Sequence, residues 1–143
     1  MRCTEQEAVF PMPIMKAEKL AEKLYMANAV VLITHEIDSA YWHEWELFRL
    51  PGGIQFFLVL HIVLIGLVLV GYRLVVLQER AAKLCSYLLA SAGLLAVLLH
   101  GSFLIAGTPQ FRSPVSIALL AATLVLSLCQ IVVVRACYRS HVG

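Results

Sequence analysis

The sequence predicts an all-α, polytopic membrane protein: four transmembrane helices in an up-down bundle, preceded by a short amphipathic helix, as a single domain over 1–143. Of its 143 residues, 61% are hydrophobic and only 14% charged, far from the balance of a soluble domain. Three apolar stretches, at about 54–77, 84–105 and 115–135, each have the roughly 20 residues that cross about 30 Å of hydrocarbon. A further apolar run starts near residue 24. The net charge of +2 is too small to point to nucleic acid.

Pro11 and Pro13 are expected to break any earlier helix. From 14 to 24, Ile14, Ala17, Leu20, Ala21 and Leu24 recur at helical spacing, with Lys16, Glu18, Lys19, Glu22 and Lys23 between them. This is the pattern of a helix lying on the membrane surface and leading into the first span. Nothing near Met1 resembles a cleavable signal, so that span is expected to insert permanently. Its length follows from geometry. The purely apolar part beyond Lys23 reaches only Ile33 and covers about 15 Å at 1.5 Å per residue, half of the hydrocarbon. The helix must therefore continue through at least Tyr41, giving a span of about 24–45 with Tyr41, Trp42 and Trp45 at headgroup level.

Gly52 and Gly53 after Pro51 mark the turn into the second span, a basic link precedes the third, and "AGTPQFRSP" turns into the fourth. Gly66, Gly71 and "SAG" at Ser91–Gly93 are small positions suited to close helix packing. Nine of the eleven Lys and Arg residues fall on one side of these spans; only Arg49 and Arg112 fall on the other. Both termini are thus expected in the cytoplasm, with the protein in the inner membrane. Cys3, Cys85, Cys129 and Cys137 then lie in the tail or the cytoplasmic half, where thiols stay reduced. No C-x-x-C pair supports a disulfide oxidoreductase.

His35, Glu36 and Asp38 fall below the outer interface. A central carboxylate costs on the order of 2.5–3.5 kcal/mol to insert, so these groups should face the bundle interior and find partners. His61 lies seven residues into the second span and His100 about five from the outer end of the third, so three histidines converge on one depth. His35 and Asp38 share a helix face as i and i+3, while Glu36 points about 100° away, on the face of Ser39, Ala40 and His43.

A lone membrane histidine is most simply a packing hydrogen bond; three at one depth beside a carboxylate point instead to a shared site. Imidazole with carboxylate suits a divalent metal, zinc or iron, with His35, Asp38, His61 and His100 as ligands. Glu36 or Glu44 would act as general base on a metal-bound water. Taken alone, Glu44 and Glu46 read as solvated exit residues, and His141 as a tail residue. The spacing is not H-E-x-x-H, because Ser39 stands where the second histidine would be. A b-type haem ranks lower, since it gives Asp38 and Glu36 no role. The fourth span offers only Ser116, Thr123, Ser127 and Gln130, which suit packing better than chemistry.

The substrate class implied by such a site is a membrane lipid or isoprenoid. A proton or ion relay is the alternative from the transport class, weakened by the lack of charge in the inner halves of spans two to four. Another is a non-catalytic accessory subunit, in a homo-oligomer or larger membrane complex, with a polar network pinning its helices and "HEWELF" docking a partner.

"THEID" at 34–38, "HEW" at 43–45, and Gln55-Phe56 followed by an apolar run and His61 resemble a family of small bacterial four-helix membrane proteins catalogued as a domain of unknown function. The resemblance covers the first half of the chain. It implies a membrane location, carries no established activity, and adds Glu44 and Trp45 to the positions of interest. In that family the segment after the H-E-W element is often longer than "ELFRLPGG" here.

Overall fold

The computed structural model describes residues 12–139; Pro11, Cys3 and His141 lie outside them. The described residues form five helices: α1 (Met12–Tyr41), α2 (Glu44–Leu47), α3 (Gly53–Val76), α4 (Ala82–Ile105) and α5 (Pro114–Arg139). Three segments, Gly53–Val76, Ala82–Ile105 and Pro114–Cys137, are long and apolar enough to cross a membrane. α1 is as long but more charged: it carries Lys16, Glu18, Lys19, Glu22 and Lys23 near its start and Glu36 and Asp38 near its end.

The surface segment and the first span are one uninterrupted helix of 30 residues. Pro13 sits inside its first turn, where the missing N–H has no helical partner to lose, and does not break it. α1 runs through Tyr41, as expected. It stops short of residue 45 because the chain reverses at His43, whose φ of 53° is left-handed. The reversal turns α2 back against the helix ends, and Gly52, at φ 83°, opens α3.

Packing follows a seven-residue repeat. Apart from Ala29, the buried residues of α1 are Ala21, Tyr25, Asn28, Leu32, His35 and Ser39, separated alternately by four and three positions. α5 shows the same spacing at Ser116, Leu120, Thr123, Ser127, Gln130, Val134 and Cys137, and α4 follows it at Ala82, Ser86, Leu89, Gly93 and His100. That alternation is the seam of helices packed at shallow left-handed angles. His35 and His100 are buried because each occupies a seam position. α3 is peripheral: only Phe57, Gly71 and Val75 are buried, while Leu58, Val59, Ile62, Val63, Leu67 and Val70 are exposed apolar side chains suited to lipid contact.

The seam of α5 is largely polar, and its polar groups bind the bundle together. Asn28 Nδ2 donates to Ser127 Oγ at 3.2 Å and to Gln130 Oε1 at 2.8 Å, and Gln130 Nε2 donates to the Ser86 carbonyl at 3.0 Å, joining α1, α5 and α4. Tyr25 donates to the Val68 carbonyl at 3.0 Å, tying α1 to α3. Two of the expected small positions have a clear cause: a methyl at Gly71 would overlap the Tyr25 hydroxyl, and one at Gly93 would overlap Ser127 Oγ. Gly66 meets nothing and has no such role.

Candidate functional site: two histidine–carboxylate pairs

The three histidines do share one level along α1, but they fall into two sets of contacts. His35, on the α1 seam, faces inward and meets His100 of α4 edge-to-face, with ring centroids 4.5 Å apart. Glu36, one residue on and so about 100° around the helix, faces α3 and meets His61, with Oε2 2.7 Å from Nε2. Each histidine of the crossing helices α3 and α4 thus has a carboxylate beside it: Glu36 for His61, and Glu44 for His100, whose Nε2 lies 3.4 Å from Glu44 Oε1.

The Glu36–His61 pair has a defined proton inventory. His61 Nδ1 lies 2.7 Å from the Phe57 carbonyl, which can only accept, so Nδ1 carries hydrogen. The 2.7 Å contact on the other nitrogen then needs one further proton, on Nε2 or on Glu36. The pair therefore holds one proton between an imidazole and a carboxylate, and can give or take it with little movement. Phe57 stacks on His61 at 3.9 Å and Trp45 packs on Phe57 at 5.5 Å, fixing the ring from the α2 side. Beside the pair, a groove of about 350 Å³ runs between α1, α3 and α4, lined by Tyr25, Leu32, Leu64, Val68 and Leu89, with Glu36 and His61 as its ionisable groups apart from Tyr25 and Cys85.

The second cluster is enclosed. His35 is fully buried and His100 nearly so, and Phe111, from the turn between α4 and α5, closes over them with its ring 4.3 Å from His100 and 6.5 Å from His35. Phe111 is itself fully buried at a left-handed φ of 61°. Glu44 is not a solvated exit residue: its side chain is only 12% exposed and lies against His100. Burial pushes its carboxyl up, but hydrogen bonding to His100 and Ser39, with the charges of the His100 and His35 imidazoles, outweighs this and leaves it below the ordinary carboxylate range. Ser39, expected on the face of Glu36, instead shares the His35 seam and is fully buried.

The four-ligand metal centre is not assembled. Among the described residues, no group of three or more His, Cys, Asp or Glu side chains is placed to hold a metal ion. His61 spends both ring nitrogens on Phe57 and Glu36, while His35 and His100 face each other. Asp38 is partly buried with Oδ2 unpartnered; it is near enough to His35 to interact with it through charge but makes no hydrogen bond to a histidine.

Sequence reasoning missed Phe111, an aromatic in a turn with no local signal of burial, and the inward turn of Glu44, which depends on the reversal at His43. The fold and site define an α-helical, multi-pass membrane protein with paired histidines and carboxylates at one end of its bundle. The chain belongs to a family of unknown function, DUF6713, whose family model matches residues 21–137. No curated protein and no solved structure matches it.

Proposed function

We propose that the protein binds a membrane lipid or isoprenoid in the groove between α1, α3 and α4, and that the Glu36–His61 pair engages its polar head and exchanges a proton with it. One observation carries this reading: a hydrogen-bonded acid–base pair sits in a long groove whose other walls are mostly apolar. Such a groove accepts a hydrocarbon chain, and the pair offers both a donor and an acceptor to the head. α1 serves as the fourth crossing of an up-down bundle, since its part beyond Lys23 rises about 27 Å at 1.5 Å per residue. The distribution of Lys and Arg puts both termini in the cytoplasm and the site in the outer leaflet of the inner membrane.

A zinc or iron ion is not carried forward, because among the described residues its proposed ligands do not come together. The accessory-subunit reading keeps one supporting observation, the Asn28–Ser127–Gln130–Ser86 network, which fixes helices without chemistry. Native mass spectrometry of the purified protein separates the two. Lipid binding predicts a tightly retained lipid near one per chain, lost when Leu64→Trp fills the groove; a scaffold retains none, or the same amount in both proteins.

A further inference from the structure

At the α2 end of the bundle, buried polar atoms without partners collect in one enclosure. His35 Nδ1 and Nε2, Glu44 Oε2 and His100 Nδ1 are all buried and make no hydrogen bond, and the buried Ser39 hydroxyl has only the Glu44 carboxylate to turn to. They belong together in space: the His35 and His100 rings touch, His100 faces Glu44 at 3.4 Å, and Ser39 lies beside the same carboxylate. Native proteins pair nearly all such groups, with protein or with ordered water. Leaving such a group unpaired is destabilising, so four in one place would be a heavy and unrelieved penalty. Their chemistry is mixed: Glu44 Oε2 accepts, the Ser39 hydroxyl does both, and each neutral imidazole has one donor and one acceptor nitrogen. Water, with two donors and two acceptors, satisfies such a set.

An entrance adjoins the enclosure. A cleft of about 510 Å³ lies between the end of α1 and the turn after α4, lined by Trp42, His43, Pro109 and Gln110. Trp42 Nε1 and Gln110 Oε1 are likewise buried and unpartnered, and Phe111 stands between the two regions, its ring 6.4 Å from Trp42 and 4.3 Å from His100. Further along the seam, the satisfied amides of Asn28 and Gln130 end the run of unpaired groups.

We propose that the enclosure formed by His35, Ser39, Glu44 and His100 binds internal water, fed from the cleft at Trp42 and Gln110 and closed at its far end by the Asn28–Ser127–Gln130 network. The site is a hydrated half-channel in a membrane-embedded bundle. It is separate from the lipid groove and does not depend on what that groove holds.

Water-edited NMR on protein labelled with ¹⁵N-histidine and ¹⁵N-asparagine, in lipid bilayers, tests this directly, with His35, His43 and His100 assigned by single replacement. Magnetisation from water should reach the His35 and His100 ring nitrogens about as fast as those of exposed His43, while the Asn28 side-chain amide stays dark. If His43 responds and both buried histidines stay dark, the enclosure is dry and the proposal falls. A bright Asn28 overturns the closed end. Ser39→Ala supplies a second readout in the same experiment: removing one water ligand should slow transfer to the His35 and His100 rings, whereas in a dry site both rings stay dark as before. Ring-nitrogen shifts from metal coordination, with stoichiometric metal in the sample, would also overturn it. The wild-type spectrum decides even if the variant does not fold.

Discussion

Replacing Asn28 by leucine probes the polar seam that holds the bundle together. Asn28 is fully buried and its amide makes two interhelical hydrogen bonds, to Ser127 and Gln130. At about 0.6 kcal/mol for each such bond in a membrane protein, their loss costs about 1.2 kcal/mol. Gln130 Oε1 is also left without its donor in a fully buried position, adding about 1–3 kcal/mol. Asn28→Leu should therefore destabilise the bundle by about 2–4 kcal/mol. The double variant Asn28→Leu/Gln130→Leu removes the stranded oxygen as well and should be less destabilised than the sum of the two single variants. Reversible unfolding in mixed micelles, followed by circular dichroism, measures all three against wild type. A single variant as stable as wild type, or strictly additive losses, would refute the role given to this network.

Gly93→Ala should lower stability by about 1–3 kcal/mol, because the added methyl meets Ser127 Oγ and comes 3.0 Å from Thr123 Cγ2 where α4 approaches α5; the same change at Gly66, which meets nothing, should spare packing. Both are read by the same unfolding assay. Glu44 has a carboxyl held below its ordinary value, so the unfolded chain binds that proton more readily. Its contribution should be complete above the ordinary carboxylate range near 4.5 and lost as pH falls through the depressed folded value; Glu44→Gln should flatten that acid limb, seen as melting temperature against pH. Impermeant thiol reagents added to intact cells should leave native Cys85 and Cys137 unmodified, since the proposed topology puts both in the cytoplasmic half; ready labelling would invert it.

Depth was legible in the sequence because helical rise is constant: counting residues from the ends of the apolar runs is enough to bring His35, His61 and His100 to one level. The length of α1 was legible for the same reason. Which histidine meets which carboxylate was not. His35 and Glu36 differ by about 100° around one helix, and whether each faces α3 or α4 depends on how the helices surround α1, which no local pattern encodes. A shared metal centre needs all three histidines turned to one point, and His61 is instead bonded to Phe57 and Glu36. Glu44 reads as a solvated exit residue until the left-handed turn at His43 carries α2 back over the bundle. Phe111 gives no signal at all, since a single aromatic in a turn is as often exposed as buried.

Photo-crosslinking with a lipid or isoprenoid carrying a diazirine in its chain, followed by peptide mapping, tests the central claim most directly. The account predicts adducts concentrated at the groove residues Leu64, Val68 and Leu89, abolished by Leu64→Trp and weakened by Glu36→Leu, which removes the polar contact for the head. Adducts spread evenly over lipid-facing positions such as Val59, Ile62 and Val125, and unchanged by either substitution, would contradict it.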